Sequence, residues 1–171
     1  NSVMATVTAA RHVGIVRLHP APIRTEQHGT HHVLGGRLYF CPTSPYFRKA
    51  SRALAAHVAE RYAGTSGLVA WHVCNEYGGG GGLCYCDHCA EAFRTGLKNK
   101  YGTVEALNKA WCANFWSHTI YDWGDVVPPV SYGDGISDAK CVVSGLQMDY
   151  RRFQKPGAAG LLYERARRDP C

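Results

Sequence analysis

The sequence predicts an α/β protein built on a parallel sheet, and three neighbouring stretches carry that prediction. Arg37 to Cys41 in "GGRLYFCPTSP" reads as a short strand. From Pro45 to Tyr62, apolar residues recur every three to four positions, as on one face of a helix. Leu68 to Val73, "LVAWHV", is a continuous apolar run of the kind buried on both faces of a parallel sheet. Strand, helix and strand in that order form a βαβ unit.

The elements follow from local chemistry. Residues 1–34 show little periodicity and an unusual histidine density ("EQHGTHHV"), and read as irregular. Pro42 to Pro45 is a turn that opens the helix, whose apolar stripe is Phe47, Ala50, Leu54, Val58 and Tyr62; Gly64 to Gly67 ends it. Asn75 and Glu76 stand just past the apolar run, at the carboxyl end where open α/β sheets and barrels place their chemistry. Ala90, Phe93, Leu97 and Tyr101 mark a second helix, stopped by Gly102. Thr103 caps a third, "TVEALNKAW", with Glu105 near its positive end. "FWSHTIYDWGDVVPP" is a loop closed by Pro128 and Pro129, the next segment is turn-rich, and the basic tail has a short helical possibility around "GLLYERARR".

Composition narrows the class. A chain of 171 residues with 46% hydrophobic and 19% charged residues suits one globular domain. No run approaches the ~20 apolar residues of a membrane span, and no secretory leader pattern is visible at the start. The formal charge of +6 admits an acidic partner, yet the dense basic runs are confined to Tyr150–Arg152 and Arg165–Arg168, with no interleaved aromatic stacking motif. Solvated surface charge is therefore preferred to a nucleic-acid groove.

The stretch "NEYGGGGGLCYCDHC" concentrates the candidate chemistry. Gly78 to Gly82 lack the G-K-[ST] of a phosphate loop; they give the backbone freedom to turn the following thiols inward. Cys84, Cys86 and Cys89 form C-x-C-x-x-C, too crowded to pair readily as disulfides and suited to thiolate ligation of a tetrahedral metal. A closed structural zinc site takes four ligands. Cys41, at the end of the preceding strand, is the preferred fourth, ahead of His72, His88, Cys74 and Cys112. Glu76 alone can be a cap or a surface residue; with Asn75 beside it, the pair can offer an amide to a sugar hydroxyl and an acid to a glycosidic oxygen.

"YFCPTSPYFRKASRALAAHVAERYAG", "LVAWHVCNEYGG", "CYCDHCAEAFR", "KYGTVEALNKAW" and "FWSHTIYDW" resemble, in order and spacing, the β-galactosidases of glycoside hydrolase family 42. The resemblance runs over residues 35–129, flanked by segments 1–34 and 130–171 that match the pattern poorly. It implies part of a (β/α)₈ TIM barrel, about its third and fourth strands with the helices that follow, and a zinc-binding loop. It implies retaining hydrolysis of terminal β-galactosides, with Glu76 as acid/base and with Arg37, Asn75 and Trp116 contacting the sugar. On residue type alone, Trp116 reads equally as a core aromatic. It also implies a structural Zn²⁺ on Cys41, Cys84, Cys86 and Cys89, a homo-oligomeric (trimeric) parent and a cytoplasmic location.

Departures from the family pattern are Cys74, Gly96 and Cys112. No segment matches the family's second glutamate, the nucleophile, so the 171-residue chain alone is expected to be inactive. The alternative function is a small zinc-binding interaction module that contacts nucleic acid.

Overall fold

The computed structural model describes residues 2–5, 23–34, 36, 39–72, 82–129 and 143–154. It divides into two compact units. One comprises Asn1–Arg24, His31–Gly82 and Pro156–Cys171, the other Thr25–Thr30 and Leu83–Lys155.

In the first unit, β1 (Ser2–Ala5) pairs in parallel with β2 (Leu68–His72), and α1 (Pro45–Tyr62) lies between them in sequence. Val3, Met4 and Ala5 lie opposite Ala70, Trp71 and His72, and an irregularity between Ser2 and Val3 sets Ser2 against Leu68. The expected α1 and β2 are both present. The first strand of the pair is not the expected one. Tyr39–Cys41 form no strand, only a single antiparallel bridge from Phe40 to Ile23, and β2 takes its parallel partner from the segment read as irregular. Four residues are too few for either periodicity to register, so β1 leaves no pattern in the sequence.

Ser44 caps α1 by accepting from the Phe47 N–H, and Pro45 opens the first turn, where the missing N–H costs nothing. Phe47 stacks on Phe40 with ring centroids 3.9 Å apart, beside buried Tyr39. The rest of the predicted stripe, Ala50, Leu54, Val58 and Tyr62, is only half-buried. Nor is β2 buried on both faces: Val69 is 62% exposed and Val3 on β1 is 60% exposed. The apolar run of β2 asks for covering layers that the described residues do not supply.

The second unit is helical. Its α2 (Asp87–Tyr101) ends at Gly102, whose φ of 76° is the left-handed value glycine adopts without strain. Thr103 then caps α3 (Val104–Trp111) by accepting from the Ala106 N–H, with Glu105 in the positive first turn, as the sequence predicts. Asn108 on α3 is buried and pins the following loop from both sides. Its amide nitrogen donates to the Ile120 carbonyl at 2.7 Å, and its oxygen accepts from the Ile120 N–H at 2.9 Å. A 3₁₀ turn, Trp123–Asp125, carries a reciprocal capping box between Asp122 and Asp125.

A further helix, α4, includes residues 144–154. It packs Leu146 and Tyr150 into the core formed by Phe93, Leu97, Leu107, Trp111, Ala113 and Val126. The approach is close. A Cβ placed on Gly145 would lie 2.4 Å from Trp111 Cδ1 and 3.0 Å from its Cα, so backbone as well as side chain would have to move. Gly145→Ala is therefore expected to destabilise the chain by about 1–3 kcal/mol in chemical denaturation, whereas Gly96→Ala, with open space at its Cβ, is expected to be neutral or stabilising.

Candidate functional site

The thiols come from two kinds of backbone. Cys41 lies in the loop before α1, where its carbonyl accepts from the Ser44 N–H at 3.2 Å. Cys84 and Cys86 lie in the irregular segment before α2; Cys86 is the helix N-cap and Cys89 sits in its first turn. The crowding of C-x-C-x-x-C thus resolves into an extended pair followed by one helical turn. The Sγ atoms of Cys41, Cys84, Cys86 and Cys89 all lie within 4.8 Å of one another. None is in a disulfide, and Cys41, Cys84 and Cys89 are fully buried, with Cys86 9% exposed.

That geometry is what a metal requires. Four sulfurs held ~2.3 Å from one tetrahedral zinc stand about 3.8 Å apart, so small side-chain adjustments bring a set within 4.8 Å to coordination. Four buried thiols in mutual contact have a shared chemical role available to them, and the cluster can hold a metal ion. Of the rival fourth ligands, Cys112 is exposed and caps α3 in a left-handed conformation (φ 51°), and His72 is exposed.

Two side chains from α4 secure the thiol segment. The Tyr150 hydroxyl donates to the Cys84 carbonyl, as does Gln154 Nε2 at 3.0 Å. Burial raises the Tyr150 pKa, and the neighbouring Cys89 and Cys84 raise it further, while the Gln154 hydrogen bond acts in the opposite direction. The phenol therefore stays protonated and remains a donor. Neither residue was singled out from sequence, although Leu146, Tyr150 and Phe153 recur at helical spacing and were the available signal.

Beside Tyr150, the buried Asp149 accepts from Lys100 Nζ at 2.6 Å, the Tyr101 hydroxyl at 2.6 Å and Trp111 Nε1 at 3.1 Å. Burial alone would raise the Asp149 pKa. The hydrogen bonds from Lys100, Tyr101 and Trp111, with the Lys100 charge, outweigh it and hold the carboxyl below the ordinary aspartate value.

The sugar-binding candidates fare differently. Arg37, Asn75 and Glu76, with Gly78 to Gly81, lie outside the described residues. Trp116 is 67% exposed, with a left-handed φ of 47°, and stacks on Phe115 at 4.9 Å. Among the described residues nothing buries it. Neighbouring Ser117 also has positive φ, at 61°, so the loop turns sharply where it presents the Phe115–Trp116 pair.

A parallel strand pair, its intervening helix and a buried four-thiol cluster define the class first: an α/β chain whose clustered thiols can hold a metal ion. Comparison then supplies the family. The sequence model for the β-galactosidases of glycoside hydrolase family 42 matches residues 1–167. The β-galactosidase LacZ of Lactobacillus acidophilus is 45% identical over 161 residues, covering 93% of this chain and 24% of the relative. BgaA of a Planococcus species is 43% identical over 151 residues, 88% of this chain and 22% of the relative. Among solved structures, the β-galactosidase of Bacillus circulans superposes with a TM-score of 0.85 at 42% identity, covering 95% of this chain and 24% of that one. The chain belongs to glycoside hydrolase family 42, and its α/β fold is part of the TIM barrel of its structural neighbours. It spans about a quarter of the length of the relatives it matches.

The Asp149 network has a pH signature. A carboxyl whose folded pKa lies below its unfolded value of about 3.9 contributes its full stability above that value and loses it as pH falls through the lower folded pKa. Acid titration of stability is expected to show this loss. Asp149→Asn is expected to remove that component and to cost about 2 kcal/mol at neutral pH, measured by urea unfolding.

Proposed function

We propose that the chain is a portion of the catalytic barrel of a retaining β-galactosidase, cleaving terminal non-reducing β-D-galactosides, with a structural zinc on Cys41, Cys84, Cys86 and Cys89. The four-thiol cluster, in a chain whose family is that of the β-galactosidases, is the observation that carries this reading. It is preferred to a zinc module for nucleic acid because the named relatives are galactosidases.

Glu76 follows the end of β2 by four positions in sequence. In this reading it is the acid/base. It begins protonated, gives its proton to the leaving glycosidic oxygen as a second carboxylate attacks the anomeric carbon, and then takes a proton from the water that releases the sugar. The two carboxyl groups of a retaining pair stand ~5 Å apart. The proximity of the nucleophile and the burial of the pocket favour a neutral Glu76 in the resting site.

Asn75 bonds the sugar 2-hydroxyl, a contact that strengthens as oxocarbenium character develops. Arg37 holds further hydroxyls, and the exposed Trp116 offers its apolar face to the ring. The nucleophile is a glutamate from a later barrel strand, for which this chain has no matching segment. Zinc takes no part in bond cleavage; the cysteines that hold it fix the backbone beyond the glycine run. The whole enzyme in this reading is a cytoplasmic homo-oligomer, a trimer.

Two experiments test these roles. Purified without chelators, the chain is expected to carry about one zinc per polypeptide by elemental analysis, and Cys86→Ser or Cys41→Ser to lose most of it; a metal-free wild-type chain overturns the assignment. The 171-residue chain alone is expected to leave a chromogenic galactoside intact. Transplanted in place of the matching quarter of the Bacillus circulans enzyme, residues 1–167 are expected to support turnover. Glu76→Gln in that chimera should lower kcat/KM about 10²–10⁴-fold, and an unchanged rate removes Glu76 from the acid/base role.

A further inference from the structure

The second unit holds Cys84 by its backbone. Its carbonyl accepts two hydrogen bonds, from the Tyr150 hydroxyl and from Gln154 Nε2, and its N–H donates to Gln154 Oε1 at 3.5 Å. Both polar groups of one ligand residue's backbone are thus held by two side chains four positions apart, which share one face of α4.

Tyr150 has little freedom to release its partner. It is fully buried, its ring stacked on Tyr85 at 5.4 Å and set edge-on to Phe93 at 4.9 Å. Those two contacts reach different thiols. Tyr85 lies between Cys84 and Cys86 in the extended segment, and Phe93 lies one helical turn beyond Cys89 on α2. A single phenol ring therefore touches both the segment that carries two thiols and the helix that carries the third.

We propose that Tyr150 and Gln154 are positioning residues for the thiol cluster, fixing the extended segment against α2 so that Cys84, Cys86 and Cys89 are spaced for a soft divalent cation before it arrives. A preorganised segment loses its backbone freedom on folding; a loose one loses it on binding, at the expense of affinity. The hydrogen bonds of both residues go to the Cys84 backbone, so their removal alters how well the cluster binds and not which ligands it offers. This inference rests on the reading of the four cysteines as a metal site.

The test uses the 171-residue chain and zinc alone, with affinity measured by competition against a chromophoric chelator. Cobalt substitution reports coordination through its thiolate charge-transfer and d–d bands. Tyr150→Phe keeps the ring and deletes the hydroxyl, and Gln154→Leu keeps the bulk and deletes the amide. Each is expected to weaken zinc binding about tenfold, and the pair more, within the range that partners of ligating residues command. Arg151→Ala, at an exposed position of the same helix, is expected to leave affinity unchanged, and all variants are expected to keep the wild-type circular dichroism and the tetrahedral cobalt bands.

Equal affinity in wild type and in the folded double variant overturns the positioning role while leaving the metal site intact. A wild-type chain that takes up neither zinc nor cobalt overturns both. Should Tyr150→Phe unfold, Gln154→Glu at its half-buried position still decides the matter, since it removes the amide donor; unchanged zinc affinity there overturns the role of Gln154.

Discussion

A single buried carboxylate organises the helical unit. Asp149 draws in an ammonium, a phenol and an indole N–H, from the last two residues of α2 and the last residue of α3. A carboxylate left alone at that depth would be strongly destabilising, since burial penalises charge and removing one partner of a buried pair strands the other. With three donors the penalty is offset, and the geometry becomes selective. In the observed placement of α4, Asp149 reaches all three while Gly145 passes close against Trp111.

That placement is transmitted to the thiols by the next residue. Tyr150 follows Asp149 around the helix, so the same docking event that satisfies the carboxylate brings the phenol beneath the Cys84 carbonyl. The helix ends joined at Asp149 and the segment held by Tyr150 are at opposite ends of α2. One helix of modest length therefore meets both ends of another, and the thiol segment at the amino end of α2 shares a partner helix with the polar contacts at its carboxyl end.

Much of this was legible in the sequence, and the divisions are physical. The three helices beginning at Pro45, Asp87 and Val104 declare themselves by caps, stops and apolar stripes, all local signals. The cysteines declare themselves because thiols so closely spaced have few other uses. By contrast β1 is too short to carry a period, and its identity as a strand comes from β2, more than sixty residues away in sequence. Arg37–Cys41 has the composition of a strand, yet Tyr39 and Phe40 are committed to aromatic packing and Phe40 to a single bridge. The helix over 144–154 does carry an apolar stripe, but Gly145 and the turn-forming run before it mask the start. Gly145 is there because Trp111 needs the space, a tertiary reason that no local pattern encodes.

The parallel pair of β1 and β2 carries a consequence of another kind. Val3 and Val69 stand exposed on a ribbon that, among the described residues, is two strands wide. In a closed barrel every strand has a neighbour on each side, and the rows of N–H and C=O groups are consumed all the way round. A ribbon cut from that circle keeps the hydrogen-bonding capacity and the apolar side chains, and loses the closure that kept them from other chains. The quality that makes a segment a good barrel stave is one that its neighbours in the circle must satisfy.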